Sequence, residues 1–108
     1  MKTESDIKKE IAAYLDSLGE RCYHFPFHNV GYARKGIQDQ IVCYRGRFFA
    51  IEAKRDADAK ETKWQERERK AVLAAGGHAI VAWSVEQVRA AIEEIDRAIK
   101  YEWWLSAI

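Results

Sequence analysis

The sequence contains little of what marks a secreted, membrane-bound or disordered protein. It has two cysteines and one proline among 108 residues, and 48% of its residues are apolar. No run of about 18 apolar residues is present, so no membrane-spanning helix is expected, and the first residues lack the apolar core of a signal peptide. We therefore expect a folded cytoplasmic protein with a single domain over residues 1–108.

Cysteine and histidine provide no metal-binding pattern. Cys22 and Cys43 do not have the spacing of metal ligands, and a reducing compartment disfavours a disulfide between them. We expect both to be small buried apolar residues. His24, His28 and His78 show no zinc-site spacing either, and a structural role is expected for each of them.

The charge of the chain is small overall but unevenly distributed. The net charge is +1, which by itself gives no sign of a polyanionic partner. Residues 21–70, however, carry twelve Lys or Arg against seven acids, whereas residues 1–20 and 71–108 each have a net charge of −2. A local basic patch could hold a nucleic acid, although a solvated surface explains the same distribution equally well.

Hydrophobic periodicity in the first half of the chain predicts a helix and three strands. Apolar residues at helical spacing mark a helix over Glu4–Leu18. Arg21–Phe27 indicates an edge strand, because Pro26 cannot donate to a central ladder. Asp39–Tyr44 and Phe48–Ala53 then form apolar runs around the compact turn Arg45-Gly46-Arg47, which predicts a β-hairpin.

The second half of the chain predicts a helix, a strand and a further helix. Thr62 and Gln65 have the spacing of a capping box at the start of the second helix. His78–Trp83 is a short apolar strand, and Ser84 with Gln87 repeats the capping-box spacing before the third helix. The chain therefore predicts an α/β fold in the order α-β-β-β-α-β-α.

One acid-x-Lys triplet lies where its chemistry needs an explanation. The spacing occurs five times, so it carries little information by itself. Glu52-Ala53-Lys54 differs because it ends an apolar strand, where alternation points both charged side chains to one face. The hairpin pairs this strand with one that begins at Asp39. Two carboxylates held close repel each other unless a cation lies between them, and such oxygen ligands suit Mg²⁺ or Mn²⁺.

This arrangement indicates phosphoryl transfer. A bound metal would activate a water molecule, and Lys54 would position that water or stabilise the pentacoordinate state. The residues resemble the PD-(D/E)XK nuclease superfamily. Within it, the sequence is similar to the virus-type replication-repair nuclease (VRR-NUC) domains, through the motifs Gly36-Ile37-Gln38-Asp39, Gly46-Arg47-Phe48, Ile51-Glu52-Ala53-Lys54, Thr62-x-x-Gln65 and Gly76-Gly77.

The resemblance covers roughly residues 36–83 and implies a restriction-endonuclease-like core, with a mixed sheet flanked by helices. The sequence departs from the family at Gln38, where proline commonly precedes the aspartate. Proline donates no ligand, so the change puts the rate in doubt more than the type of reaction.

The resemblance also implies roles for individual residues. Asp39, Glu52 and the Ala53 carbonyl would bind the metal, Lys54 would be the catalytic lysine, and Gln65 would support the site from its helix. Glu10 matches an acidic residue that the family often directs from the first helix toward the metal. An exposed surface side chain is the alternative interpretation of Glu10.

Five residues near the predicted site could contact nucleic acid. In the glycine-containing loop before Asp39, Arg34 and Lys35 could bind phosphates and Tyr32 could stack on a base. Lys60 and Lys63, near the start of the second helix, could also bind phosphate. A solvated surface loop and solvated helix charges are the alternatives.

The resemblance implies a Mg²⁺-dependent DNA endonuclease that acts on branched DNA, such as Holliday junctions, during replication or repair in a bacterial or phage-infected cell. The alternatives are a non-catalytic DNA-binding or assembly module with the same fold, and an RNA-directed nuclease. A homodimer is expected, because two symmetry-related sites would let so small a domain cut both strands of a junction. The apolar C-terminal residues either join two subunits or pack on the core; they are Trp103, Trp104, Leu105 and Ile108.

Overall fold

A four-stranded mixed sheet with helices packed against it forms the fold. The computed structural model describes residues 2–28 and 31–107. The predicted α/β class and the predicted element order are confirmed, and one short 3₁₀ helix follows the first α-helix. The elements are α1 (Glu4–Ser17), the 3₁₀ turn (Gly19–Arg21), β1 (Cys22–Pro26), β2 (Gln40–Tyr44), β3 (Arg47–Ala53), α2 (Lys63–Ala74), β4 (His78–Ala82) and α3 (Val85–Ala107).

The strands are ordered β1-β2-β3-β4 across the sheet. The first two pairings are antiparallel and the β3–β4 pairing is parallel. Strand β1 lies at an edge, as Pro26 predicted. Gln40 pairs with Ile51, so that Asp39, the residue before β2, comes opposite Glu52 near the end of β3. The register of this one hairpin therefore brings the two predicted carboxylates together.

The turn between β2 and β3 is one residue shorter than expected. Tyr44 pairs with Arg47, which leaves Arg45 and Gly46 as a two-residue loop. Their φ angles are 49° and 83°. A type I′ turn requires positive φ at both central positions, because its twist then matches that of the strands. Strand β3 consequently begins at Arg47 rather than at Phe48.

The hydrophobic core lies between one face of the sheet and helices α1 and α3. Helix α1 and helix α3 each bury one apolar stripe against alternate residues of β2, β3 and β4. The opposite face carries α2, where Phe48 and Val72 line a shared surface groove. The core residues are Ile7, Ile11, Leu15, Val42, Tyr44, Phe49, Ile51, Ala53, Ala82, Val88, Ile92 and Ile95.

Strand alternation also corrects the expectation for the cysteines. Cys43 lies between the buried residues Val42 and Tyr44, so its side chain points to the other face of the sheet and is exposed. Cys22 is partly buried, and both cysteines are free thiols. The prediction that both are buried is therefore wrong for Cys43.

Local sequence determines both ends of helix α2. Thr62 Oγ1 accepts a hydrogen bond from the Gln65 N–H at 3.1 Å, and Gln65 Oε1 accepts one from the Thr62 N–H at 2.8 Å. This is the predicted capping box. At the other end Gly76 has a φ of 91°, and the Gly77 N–H donates to the Val72 carbonyl at 3.0 Å, which is a Schellman motif. The capping box holds Gln65 in the first turn of the helix.

Helix α3 carries the apolar C-terminal residues away from the core. Trp103 and Trp104 are 68% and 55% exposed. The alternative that they pack on the core of the same chain is therefore wrong, and their contact with a second subunit stays a prediction. Ile108, the last residue of the predicted apolar set, lies outside the described residues. Among the described residues, no helix combines the length and apolar character needed to cross a membrane.

Candidate metal centre

Three carboxylates converge where β2 begins and β3 ends. Glu4, Asp39 and Glu52 each offer one oxygen, and these oxygens lie within 4.8 Å of one another. Within residues 2–28 and 31–107, no other group of three potential metal ligands of this kind occurs. Asp39 and Glu52 come from the hairpin, as predicted. Glu4 comes from the first turn of α1, and the sequence analysis did not identify it.

The orientation of α1 explains why Glu4 rather than Glu10 joins this cluster. Ile7 and Ile11 mark the face of α1 that packs on the core, and Glu4 precedes them at i+3 and i+7 spacing. At about 100° of rotation per residue, Glu10 lies roughly a quarter turn away from that face. The structure places Glu10 beside Lys2 instead, with Nζ and Oε1 2.8 Å apart. The apolar stripe was the available signal for Glu4.

Backbone contacts hold Asp39 in place. Its Oδ2 accepts a hydrogen bond from the Ala53 N–H at 2.9 Å, and its carbonyl accepts one from the Phe27 N–H at 2.8 Å. Its Oδ1 lies 3.3 Å from Lys8 Nζ. The end of β3 thus orients the carboxylate through the N–H of Ala53, while the role of the Ala53 carbonyl as a metal ligand stays a prediction.

Glu52 is a buried carboxyl group whose hydrogen-bonding capacity is not satisfied. The residue is 3% exposed, and its Oε1 has no hydrogen-bond partner among the described residues. Burial and the negative charge of Asp39 raise the pKa of Glu52 to about 8, against the opposing effect of Lys54. A divalent cation would satisfy the bare oxygen and would offset the repulsion between the carboxylates.

Lys54 is positioned by the helix that follows it. Its Nζ donates to Gln65 Oε1 at 3.0 Å and lies 3.8 Å from Glu52 Oε2. Gln65 Oε1 is the same atom that accepts from the Thr62 N–H in the capping box. Only 13% of the Lys54 side chain is exposed. The cap of α2 therefore fixes the acceptor that orients the ammonium group beside the carboxylates.

Lys8 supplies a second ammonium group to the cluster. Its Nζ lies 3.6 Å from Glu4 Oε1 and 3.3 Å from Asp39 Oδ1. Partial burial lowers the pKa of Lys8, but Asp39 and Glu4 together raise it by more, so the net shift is upward. Lys8 therefore stays protonated and offsets part of the charge of two of the three carboxylates.

Gly36 allows the loop before Asp39 to lie directly on α2. A Cβ atom at this position would come within 2.2 Å of the Trp64 carbonyl oxygen, and the φ of Gly36 is 89°. Both features exclude a side chain. Gln38, which stands at the family's proline position, is buried, and its Nε2 has no hydrogen-bond partner in the described part of the chain.

The residues predicted to contact nucleic acid surround the start of α2 and the loop before Asp39. Tyr32 is almost fully exposed and Lys60 is exposed, which leaves both accessible. Arg34 pairs with Glu68, with Nε and Oε2 2.9 Å apart. The ammonium groups of Lys35 and Lys63 both lie over the indole ring of Trp64.

Comparisons with known proteins concern the fold as a whole. No family model matches the chain, and no curated protein matches it. A solved structure described as a "VRR_NUC domain" superposes with a TM-score of 0.71 at 26% identity, over 85% of this chain and 97% of that one. A second, described as a "VRR_NUC domain protein", superposes with a TM-score of 0.65 at 21% identity over 92% of this chain and 89% of that one, which concerns the fold alone. The resemblance that the motifs predicted is therefore confirmed, and the chain has the fold of a VRR-NUC domain.

Proposed function

We propose that this protein is a metal-dependent endonuclease that hydrolyses phosphodiester bonds in DNA, with a preference for branched DNA. The carboxylate cluster carries the proposal. Glu4, Asp39 and Glu52 present oxygens to a common point, and one Glu52 oxygen is buried without a donor. Lys54 stands beside them. In this arrangement the carboxylates would bind a cation, and the ammonium group would stabilise the negative charge of a phosphate.

The donor set fits a hard divalent cation. Carboxylate oxygens are the preferred protein ligands of Mg²⁺ and Mn²⁺, which retain other positions for water and phosphate oxygens. Glu4, Asp39 and Glu52 would hold the ion, together with the Ala53 carbonyl that the family resemblance implies. Such an ion, when bound, lowers the pKa of a water molecule and offsets the charge on the phosphate.

The chain's own groups would do the remaining work. The Ala53 N–H keeps Asp39 from rotating, and Gln65 keeps the Lys54 ammonium group directed toward the cluster. Lys54 would stabilise the negative charge that develops on the phosphate during hydrolysis. Because the pKa of Glu52 is raised to about 8, binding of a cation would release a proton from this carboxyl group.

A non-catalytic DNA-binding module with this fold fits the cluster less well. Carboxylates beside a polyanion weaken binding by electrostatic repulsion, and burial of Glu52 destabilises the fold unless its charge is offset. For the branched-DNA preference, the small size of the domain and the exposed Trp103 and Trp104 support a homodimer that presents two sites.

The test of the proposal is a cleavage assay with the purified protein. Fluorescent duplex, flap and four-way-junction DNA, and an RNA duplex, are incubated with Mg²⁺, with Mn²⁺ or with EDTA. We expect cutting of the branched DNA with either metal and no cutting in EDTA. If the protein binds DNA but cuts it neither with Mg²⁺ nor with Mn²⁺, the non-catalytic module is favoured. If it cuts only the RNA duplex, an RNA-directed nuclease is favoured.

Substitutions connect the activity to the cluster. Glu52→Gln and Lys54→Ala should each abolish cutting at saturating protein concentration while far-UV circular dichroism stays unchanged. Lys70→Ala is the matched control, since Glu68-Arg69-Lys70 repeats the acid-x-Lys spacing within α2 and the Lys70 side chain is exposed. Full cutting by both site variants would locate the active site elsewhere.

A further inference from the structure

A groove between the loop before Asp39 and helix α2 has the size of a ligand site. Its volume is about 630 Å³. Pockets that bind small ligands typically measure about 300–1,000 Å³. The groove is lined by Arg34, Lys35, Trp64, Arg67, Glu68 and Ala71.

The groove carries a positive charge that the protein itself does not neutralise. Three cationic side chains line it against a single carboxylate. Arg34 is already paired with that carboxylate, Glu68. Lys35 and Arg67 have no ion-pair partner in the described part of the chain. These two cations are therefore available to an anionic ligand.

Trp64 provides an exposed aromatic surface with two ammonium groups near it. Its side chain is 40% exposed although it is large and apolar. Lys35 Nζ lies 5.9 Å and Lys63 Nζ 5.5 Å from the centroid of its ring. Each ammonium group is attracted to the ring, but the two repel each other. An anion bound near both ammonium groups would relieve their repulsion, and a flat apolar group could stack on the exposed part of the ring.

The position of Trp64 is fixed relative to the carboxylate cluster by its neighbours in the chain and in space. The next residue, Gln65, accepts the hydrogen bond from Lys54. The backbone of Trp64 packs against Gly36, three residues before Asp39, at a distance that leaves no room for a side chain. A group stacked on this ring would therefore be held in a constant position relative to Asp39 and Lys54.

We propose that Trp64, Lys35, Lys63 and Arg67 form a binding site for an unpaired nucleotide of the DNA substrate. The base would stack on the indole ring, and the adjoining phosphates would contact the three cations. Inside a duplex, neighbouring base pairs cover both faces of each base, so away from the duplex ends only an unpaired or extruded base can stack on a side chain. The inference rests on the proposed nuclease function and specifies its substrate as DNA with single-stranded segments.

The experiment measures binding separately from cutting. Fluorescence anisotropy in EDTA gives the affinity for a blunt duplex and for the same duplex with a single-stranded flap. Stacking of a base on an aromatic side chain contributes enough that Trp64→Ala should weaken flap binding roughly 5-fold to 100-fold. Duplex binding should stay unchanged. Trp64→Phe should retain most of the flap affinity, because it keeps an aromatic ring.

Two further variants separate stacking from other effects. Leu73→Ala truncates another exposed apolar residue of α2 outside the groove and should leave both affinities unchanged. Lys63→Gln should reduce the salt dependence of flap binding by about one unit of the logarithmic slope, as expected for one lost phosphate contact.

The outcomes distinguish this inference from the proposed function. If the wild type cuts DNA but Trp64→Ala binds flap and duplex as the wild type does, or loses both equally, the nucleotide site is refuted while the nuclease proposal stands. If the wild type fails to cut with Mg²⁺ or Mn²⁺ yet binds the flap more tightly than the duplex through Trp64, the nuclease proposal fails and the nucleotide site is supported.

Discussion

Ionisation of the buried Glu52 side chain lowers the stability of the folded protein, and Glu52→Gln tests this directly. Burial first, and then Asp39, raise the pKa of Glu52 from 4.5 to about 8. The folded protein therefore binds more protons than the unfolded chain between these values. The contribution of Glu52 to the stability of the metal-free protein therefore falls as the pH rises through this interval. Glutamine keeps the shape of the protonated side chain and removes the titration.

The size of the effect follows from the shift. Each pKa unit corresponds to about 1.4 kcal/mol, so Glu52→Gln should stabilise the metal-free protein by on the order of 4 kcal/mol near pH 8. Near pH 4.5 the gain should be well under about 1 kcal/mol, because Glu52 is then protonated in the folded state and largely protonated in the unfolded chain. The difference between the two conditions is the quantity to measure.

Urea unfolding in EDTA, followed by far-UV circular dichroism, gives these free energies. Addition of Mg²⁺ should then stabilise the wild type by mass action and leave Glu52→Gln much less affected. Glu94→Gln, at an exposed position of α3, is the control and should show neither effect. A Glu52→Gln protein that is no more stable than the wild type near pH 8 would refute the argument that Glu52 is buried at a cost.

Three other substitutions probe the same region. Gly36→Ala should destabilise the fold by about 3 kcal/mol or more in thermal unfolding, because the new Cβ atom would meet the Trp64 carbonyl and φ is positive. The control Gly46→Ala also has a positive φ, of 83°, but its Cβ atom would lie in open space, so it should destabilise the fold by only about 1–2 kcal/mol. Glu4→Gln should weaken Mg²⁺ binding in isothermal titration, whereas Glu10→Gln should not, and the reverse order would restore Glu10 as the helix ligand. Lys8→Met should lower the stability of the metal-free protein and increase its stabilisation by Mg²⁺, because a competing cation is lost; an unchanged Mg²⁺ response would show that Lys8 does not compete.

The centre of the site could be predicted because it depends on one hairpin. Two apolar runs around Gly46 define the pairing of β2 with β3, and the register of that pairing sets Asp39 opposite Glu52. The capping box of Thr62 and Gln65 is likewise a local signal, and it accounts for the acceptor of Lys54. In each case the interacting groups lie within about 15 residues of one another, so periodicity and turn chemistry suffice.

The rest of the site depends on how separate elements pack. Helical periodicity places Glu4 rather than Glu10 in line with the core-facing stripe of α1, but only the packing of α1 on the sheet brings Glu4 to Asp39 and Glu52. The contact of Lys8 with Asp39 depends on the same packing. The loop at Gly36 packs on the backbone of Trp64, and only this packing places Lys35 over the Trp64 ring.

The sequence alone determined that Asp39, Glu52 and Lys54 would lie close together, since strand alternation and hairpin register are local properties of the chain. The third carboxylate, the exposed indole of Trp64 and the exposed C-terminal end of α3 were decided by the tertiary structure. Their surroundings come from residues distant in the chain, and no local pattern specifies where two helices dock on a sheet.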